Sequence, residues 1–179
     1  MRKYRILLLA LYGCFGLFSS CNTDTPENDF DIAVLNCNML GGFANDGLSR
    51  QLESPSMKLV EGTKDQSVPM KRKEVMDTKI KFLEENYEKL KNLKITDDNK
   101  DILQTSLALN GYVLPVCKKE YVQLAELYDN GASKAEINAL TQHIHDTYSI
   151  GFEKQFNSLI AAGKLYAAKH HINVKWPGQ

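Results

Sequence analysis

Apolar residues recur at helical spacing over long stretches of this chain, most regularly between residues 70 and 94. Steps of four and three residues place them on one face of a helix, and lysines and glutamates, Lys79 among them, fill the other faces. Ser67 is a candidate N-cap, and Pro69 fits the first turn of a helix. The pattern predicts a first long amphipathic helix whose apolar stripe consists of Met76, Ile80, Leu83, Tyr87 and Leu90.

A second helix is predicted to follow Thr96-Asp97-Asp98, because these residues suit an N-cap and an acidic first turn. Asp129-Asn130-Gly131 ends it, since glycine readily adopts the left-handed conformation that closes many helices. Pro115 lies inside this segment. It cannot donate a hydrogen bond to the carbonyl of Gly111, and its ring crowds that carbonyl. The spacing therefore predicts a kink or a break near residues 111–115.

The third long helix opens with Ser133 and Glu136, which have the spacing of a capping box. Its apolar face continues to Gly163 or on toward His170. Gly151 lies on that face, where the missing side chain would let a neighbouring helix approach closely. The connections between the three helices are short, so sequential helices are expected to be antiparallel neighbours.

The region from residue 30 to residue 66 is less regular. Residues 30–40 fit a short helix ended by two glycines, and residues 30–34 also fit a short strand; the helical surroundings favour the helix. Residues 41–63 are predicted to be a loop with at most one short helix near residues 48–53. The expected fold class is all-α: an up-and-down antiparallel bundle of three long helices, the second kinked or broken near Pro115, completed by an N-terminal short helix or loop.

The N-terminus has the composition of an export signal. The first five residues carry three bases and no acid, and an apolar run of 13 residues follows, from Ile6 to Phe18. This run is shorter than the roughly 20 residues that a membrane-spanning helix needs. It closes with Leu17-Phe18-Ser19-Ser20-Cys21, which resembles the lipobox of bacterial lipoproteins, although Phe18 stands where leucine or valine is usual. The resemblance implies cleavage before Cys21 and attachment of lipid to that cysteine.

The residues after Cys21 are acidic: residues 22–31 hold four acids and no base. Such a stretch resembles the surface-export signals of Bacteroidetes lipoproteins, and its composition also fits a solvated polar linker. The expected organisation is a signal peptide at residues 1–20, a lipidated acidic tether at residues 21–29 and a single helical domain at residues 30–179. The resemblance implies a lipid-anchored protein of the bacterial outer membrane, either surface-exposed or periplasmic.

The charge of the chain limits its possible partners, and its cysteine content limits its possible disulfides. Removal of the signal takes away three of the 22 bases and none of the 22 acids, which leaves a net charge of about −3. No basic stripe appears, and this argues against a nucleic-acid partner. Cys37 and Cys117 remain in a compartment that permits disulfides, so they either pair or lie apart as two buried thiols.

Few residues suggest a chemistry. His143 and His145 are two positions apart on a helix and point about 200° away from each other, so they cannot both bind one metal ion. His143 and Asp146 can share a face. The sequence contains no Glu-x-x-His pair, no Gly-x-Ser-x-Gly motif and no phosphate-binding loop.

The favoured function is therefore that of a non-enzymatic protein-binding or accessory module, an immunity protein being one kind, with no cofactor. Its expected partners are the membrane, through the lipid, and an unidentified protein. The alternative is a small metal-binding protein or hydrolase that uses His143, Asp146 and nearby carboxylates.

Overall fold

The computed structural model describes residues 25–176 of the chain, so the predicted signal peptide and the lipidation site Cys21 lie outside the described residues. The described part is mostly helical, as the sequence predicts, and it also contains one small two-stranded sheet. None of its helices has both the length and the apolar character needed to cross a membrane. The elements in chain order are α1 (Pro26–Ala33), a 3₁₀ turn (Leu35–Leu40), α2 (Asp46–Glu53), β1 (Met57–Leu59), β2 (Ser67–Pro69), α3 (Arg72–Asn92), α4 (Lys100–Val116), a π turn (Cys117–Tyr121), α5 (Val122–Asp129) and α6 (Lys134–Lys169).

Helix α3 is the first predicted helix, and its apolar stripe is confirmed. Met76, Leu83 and Leu90 are buried, and Ile80 and Tyr87 pack against the core. The helix contacts α4 and α5 along this stripe. The spacing of apolar residues thus fixed both the helix and the side that it buries.

The predicted start of this helix is wrong. Ser67 belongs to strand β2, and α3 begins at Arg72. The cap comes from the end of α5: the Asp129 carboxylate accepts hydrogen bonds from the backbone N–H groups of Arg72, at 2.9 Å, and Lys73, at 3.0 Å. An acidic side chain satisfies the free N–H groups of a helix N-terminus in the same way whether it is local or distant in sequence. The local pattern around Ser67 could not reveal a cap located 57 residues away from Arg72.

The second predicted helix is interrupted later than expected. Helix α4 continues without a break through residues 111–115 to Val116, and the irregular segment is the π turn at Cys117–Tyr121. Pro115 itself is exposed and lies inside α4. A π turn contains one more residue than a regular α-helical turn, so the hydrogen-bond register of the helix shifts there, just after the proline. Gly131 ends α5 with a φ of 68°, as the sequence predicts.

Helix α6 begins with the predicted capping box. The Ser133 hydroxyl accepts the N–H of Glu136 at 3.3 Å, and the Glu136 carboxylate accepts the N–H of Ser133 at 2.9 Å. The helix passes Gly163 and ends at Lys169. Gly151 lies under the ring of Tyr112 from α4, where an added Cβ would come within 2.8 Å of the ring carbon Cζ. The predicted close approach at Gly151 is therefore confirmed.

The domain begins earlier than predicted. Residues 26–29, expected to belong to the tether, form the first turn of α1. The Thr25 hydroxyl caps this helix by accepting the N–H of Asn28 at 3.2 Å, and Pro26 occupies the position where its missing N–H costs nothing. The Asp29 carboxylate also accepts a hydrogen bond from the side chain of Asn99 at 2.7 Å, which ties this turn to the start of α4.

Residues 30–33 are helical and Val34 caps that helix, so this segment is not a strand, and the short helix near residues 48–53 is α2. The rest of the predicted loop contains an unexpected hairpin. Strands β1 and β2 pair antiparallel, with Met57 opposite Pro69 and Leu59 opposite Ser67. Because the short helices α1 and α2 also pack on the long helices, the fold is more than a plain three-helix bundle.

Candidate functional site

The predicted metal-binding pair, His143 and Asp146, gains no third ligand among the described residues. His143 is exposed on α6, and the Asp146 carboxylate is bound by other neighbours: it accepts a hydrogen bond from the amide of Gln142 at 2.7 Å and lies 3.1 Å from Nδ1 of His145. These hydrogen bonds, from His145 first, lower the pKa of Asp146. Within residues 25–176, no three histidine, cysteine, aspartate or glutamate side chains are grouped so that they could hold a metal ion.

Of the two alternatives for the cysteines, the structure shows two separate buried thiols. Cys37 in the 3₁₀ turn and Cys117 in the π turn are free thiols, and both are buried. Each packs in the core as a small apolar side chain, so neither needs the other as a partner. Burial raises the pKa of Cys37 to about 11 and that of Cys117 to about 12. Both thiols are therefore protonated and unreactive at neutral pH.

The most distinctive cavity is a groove of about 290 Å³ between α2, α3, the 3₁₀ turn and the base of the hairpin. The surface that lines it is mostly apolar. We call it the α3 groove. Its lining residues are Met39, Gln51, Ser56, Met70, Val75, Thr78, Lys79 and Phe82.

Helix α3 supplies one wall of this groove. Its wall residues follow one another along one side of the helix, because positions 75 and 79, and likewise 78 and 82, are four residues apart. They are Val75, Thr78, Lys79 and Phe82. Val75 is buried at the base of the wall, and Phe82 is 53% exposed at its edge. This side of α3 adjoins the buried stripe, so Val75 belongs to the core while Phe82 stays exposed at the edge of the groove.

Lys79 is the only charged residue in the lining. Its ammonium group donates a hydrogen bond to the backbone carbonyl of Met39 at 2.7 Å. No carboxylate of the described chain forms a salt bridge with it, whereas Lys73 and Lys81 on the same helix pair with Asp77 and Glu85. Burial lowers the pKa of Lys79. The groove therefore combines an apolar wall with one cation that has a carbonyl, and no anion, as its partner.

The hairpin next to the groove also carries exposed apolar side chains. Ser56 and Met70 at its base line the groove, and they are joined by a backbone hydrogen bond of 2.9 Å. Met57 and Leu59 are 56% and 64% exposed. A salt bridge of 2.7 Å between Lys58 and Glu74 holds the hairpin against the first turn of α3. We call the α3 groove and the exposed apolar residues of the hairpin the groove–hairpin surface.

Sequence reasoning missed this surface for an identifiable reason. It placed Lys79 on the solvent side of α3, and it treated Met57 and Leu59 as part of a loop. The available signals were weak: Lys79 follows Val75 by four residues, at the margin of the apolar stripe, and the apolar residues of β1 alternate over only three positions.

Comparisons with known proteins add no further constraint. No family model matches the chain, and no match was found among curated proteins or solved structures. Function has to be inferred from the residues and their geometry. What the groove–hairpin surface can do chemically is bind: it offers apolar contact area, two adaptable methionine side chains in its lining and a single ammonium group.

Proposed function

We propose that the protein is a lipoprotein of the bacterial outer membrane, anchored through lipid on Cys21, that acts as a non-enzymatic protein-binding or accessory module. An immunity protein that blocks an incoming toxin is one kind of such a module. The observation that carries the binding role is the groove–hairpin surface. The anchor is supported by the signal segment and the lipobox-like residues that precede Cys21.

The groove–hairpin surface has the properties expected of a protein-binding site. Phe82, Met57 and Leu59 are each more than half exposed, and the groove beside them is apolar. Burying a fully exposed side chain of this size is worth about 1.5–3 kcal/mol. Exposed apolar side chains on a small protein are typical of interaction sites, and methionine adapts its shape to different partners.

We also propose that three long helical stretches, residues 72–92, 100–129 and 134–169, form an up-and-down framework that holds this surface rigid. Support comes from the short connections at residues 93–99 and 130–133 and from the packing of α4 against both α3 and α6. On this framework, α3 presents its buried stripe to the core and the adjoining wall of the groove to a partner.

The anchor is tested by replacing the thiol. Cys21→Ser should move the protein from the membrane fraction to the soluble fraction and remove the mass of the acyl chains. Protease treatment of intact cells then distinguishes the surface from the periplasm, since only a surface-exposed domain is digested. Acyl mass retained on Cys21→Ser would contradict the anchor.

The binding role is tested with a photo-crosslinking amino acid placed at Phe82, in the cells that produce the protein. A matched control places the same amino acid at Ile150 on α6, which is 78% exposed and lies outside the groove. We expect a discrete crosslinked adduct from position 82 and none from position 150. The captured protein, once purified, should bind the native chain, and Leu59→Ser should weaken that binding. Equal labelling from both positions would contradict the proposed surface.

A further inference from the structure

Among residues 25–176, no anionic side chain pairs with the ammonium group of Lys79, which lies in a groove lined mostly by apolar surface. A cation that is partly withdrawn from water loses solvation, and a hydrogen bond to one neutral carbonyl restores only part of it. The ammonium group has three N–H donors, and the carbonyl of Met39 accepts one of them at 2.7 Å. The remaining donors can serve an incoming anion without breaking that bond.

The lining next to Lys79 is suited to a hydrocarbon chain. Met39, Met70 and Phe82 offer apolar surface on different sides of the groove, because they come from the 3₁₀ turn, the hairpin base and α3. The volume of about 290 Å³ lies at the lower end of the range of small-molecule sites. This size suits one short or medium alkyl chain and is too small for a two-chain lipid or a large cofactor.

We propose that the α3 groove binds an aliphatic carboxylate, with the carboxylate on the ammonium group of Lys79 and the alkyl chain against Met39, Met70 and Phe82. One cation matches one carboxylate, whereas a phosphate or sulfate group would call for several donors and a polar lining. The proposal goes beyond the protein-binding function, because the ligand is a small molecule. It does not depend on that function, because the α3 groove can be tested without a protein partner.

Octanoate serves as the probe, with 1-octanol and acetate as controls that lack the charge and the chain. The chain from residue 21 onward, carrying Cys21→Ser, is used because it lacks both the apolar signal segment and the acyl chains and can be handled without detergent. Titration calorimetry should give saturable binding of octanoate. 1-Octanol should bind at least about tenfold more weakly, since a hydrogen bond to a charged group contributes roughly a factor of ten or more. Acetate should also bind at least about tenfold more weakly, because it lacks about six methylene groups that are each worth about 0.8 kcal/mol when buried.

Methionine methyl resonances report where the probe binds. The chain has five methionines, of which Met39 and Met70 line the groove and Met76 is fully buried in the core. Octanoate should shift the methyl signals of Met39 and Met70 and leave that of Met76 in place. A shift of Met76 alone, or no saturable shift at the two groove methionines, would overturn the proposal.

Two charge-removing variants complete the test. Lys79→Met keeps the apolar stem and should weaken octanoate binding at least about tenfold. Lys81→Met removes a lysine two positions away that lies outside the groove, and it should leave binding unchanged. Equal affinities of the two variants, or equal binding of octanoate and 1-octanol by the native groove, would refute the role of Lys79. If Lys79→Met does not fold, Lys79→Gln and the comparison of octanoate with 1-octanol still test whether the charge of Lys79 contributes to binding.

Discussion

Substitution of Gly151 by alanine tests whether the contact between α4 and α6 is as close as the structure indicates. The new Cβ would lie 2.8 Å from Cζ of Tyr112, a distance that real Cβ atoms essentially never show, so the Tyr112 ring has to move. The hydroxyl of Tyr112 donates a hydrogen bond to the backbone carbonyl of Tyr148 at 3.2 Å. The Tyr112 ring also contacts the Phe43 ring, with centroids 6.3 Å apart.

The expected change in the free energy of unfolding combines two destabilising contributions and one stabilising contribution. Overpacking of a well-filled site costs about 1–3 kcal/mol. Loss of the bond from Tyr112 to Tyr148 adds about 0.5–1.5 kcal/mol, and the better helix propensity of alanine returns about 0.5–1 kcal/mol. We therefore expect Gly151→Ala to lower the free energy of unfolding by about 0.5–4 kcal/mol, measured by urea denaturation with far-ultraviolet circular dichroism.

The control is Gly111→Ala on α4, another glycine inside a helix. Its added Cβ would meet the Tyr87 hydroxyl at 3.5 Å, which is an ordinary contact, so only the propensity gain remains. This variant should be more stable than the native protein by about 0.5–1 kcal/mol. In a Tyr112→Ala background the clash is gone, and Gly151→Ala should become stabilising as well. The reasoning is refuted if Gly151→Ala and Gly111→Ala shift the urea midpoint equally in the native background.

Three further outcomes are expected. Cys37 and Cys117 should resist alkylation in the native state and both react in denaturant without a reductant, as measured by mass; a thiol pair that reacts only after reduction would show a disulfide instead. Tyr121→Phe should lower the free energy of unfolding by about 1–3 kcal/mol in urea denaturation, because the tyrosine hydroxyl accepts the N–H of Ala44 at 2.8 Å in a buried site; an unchanged midpoint would mean that this N–H has another partner. Lys169 lowers the pKa of Asp98, so the stability that this carboxylate contributes is present above its unfolded pKa of about 3.9 and is lost as the pH falls through the folded value. Asp98→Asn should therefore be less stable than the native protein at neutral pH and equal to it in strong acid; a difference that persists in acid would contradict this assignment.

The features that sequence predicted correctly are those that depend on neighbours within a few residues. The capping box of Ser133 and Glu136 and the left-handed Gly131 are set by local hydrogen bonds and backbone freedom, so their signals are complete in the sequence. The stripe on α3 is equally local in its spacing, although its burial needs the rest of the fold.

The features that sequence missed depend on contacts between distant segments. Asp129 caps α3 from the end of α5, and the carbonyl of Met39 holds Lys79 in the groove from 40 residues away. The hairpin has no buried side chain, so it lacks the alternation by which half-buried strands are recognised. The candidate site is formed by these long-range contacts, and for that reason its residues looked like ordinary solvent-facing or loop residues in the sequence.

The cap at Thr25 determines how far a lipid on Cys21 would let the domain move. Three residues lie between the two positions, and the four steps of a fully extended chain span at most about 14 Å. The first turn of α1 is bonded to Asn99, close to the C-terminal end of α3, so that end of the helix would be held near the bilayer. Lys79 lies 13 residues before Asn92, which ends α3, or about 20 Å back along the helix, and the hairpin is farther still. A short connection to the lipid at one end of α3 would leave the other end of the helix, with the groove and the hairpin, farther from the bilayer. Molecules that do not contact the lipid headgroups could then reach the groove.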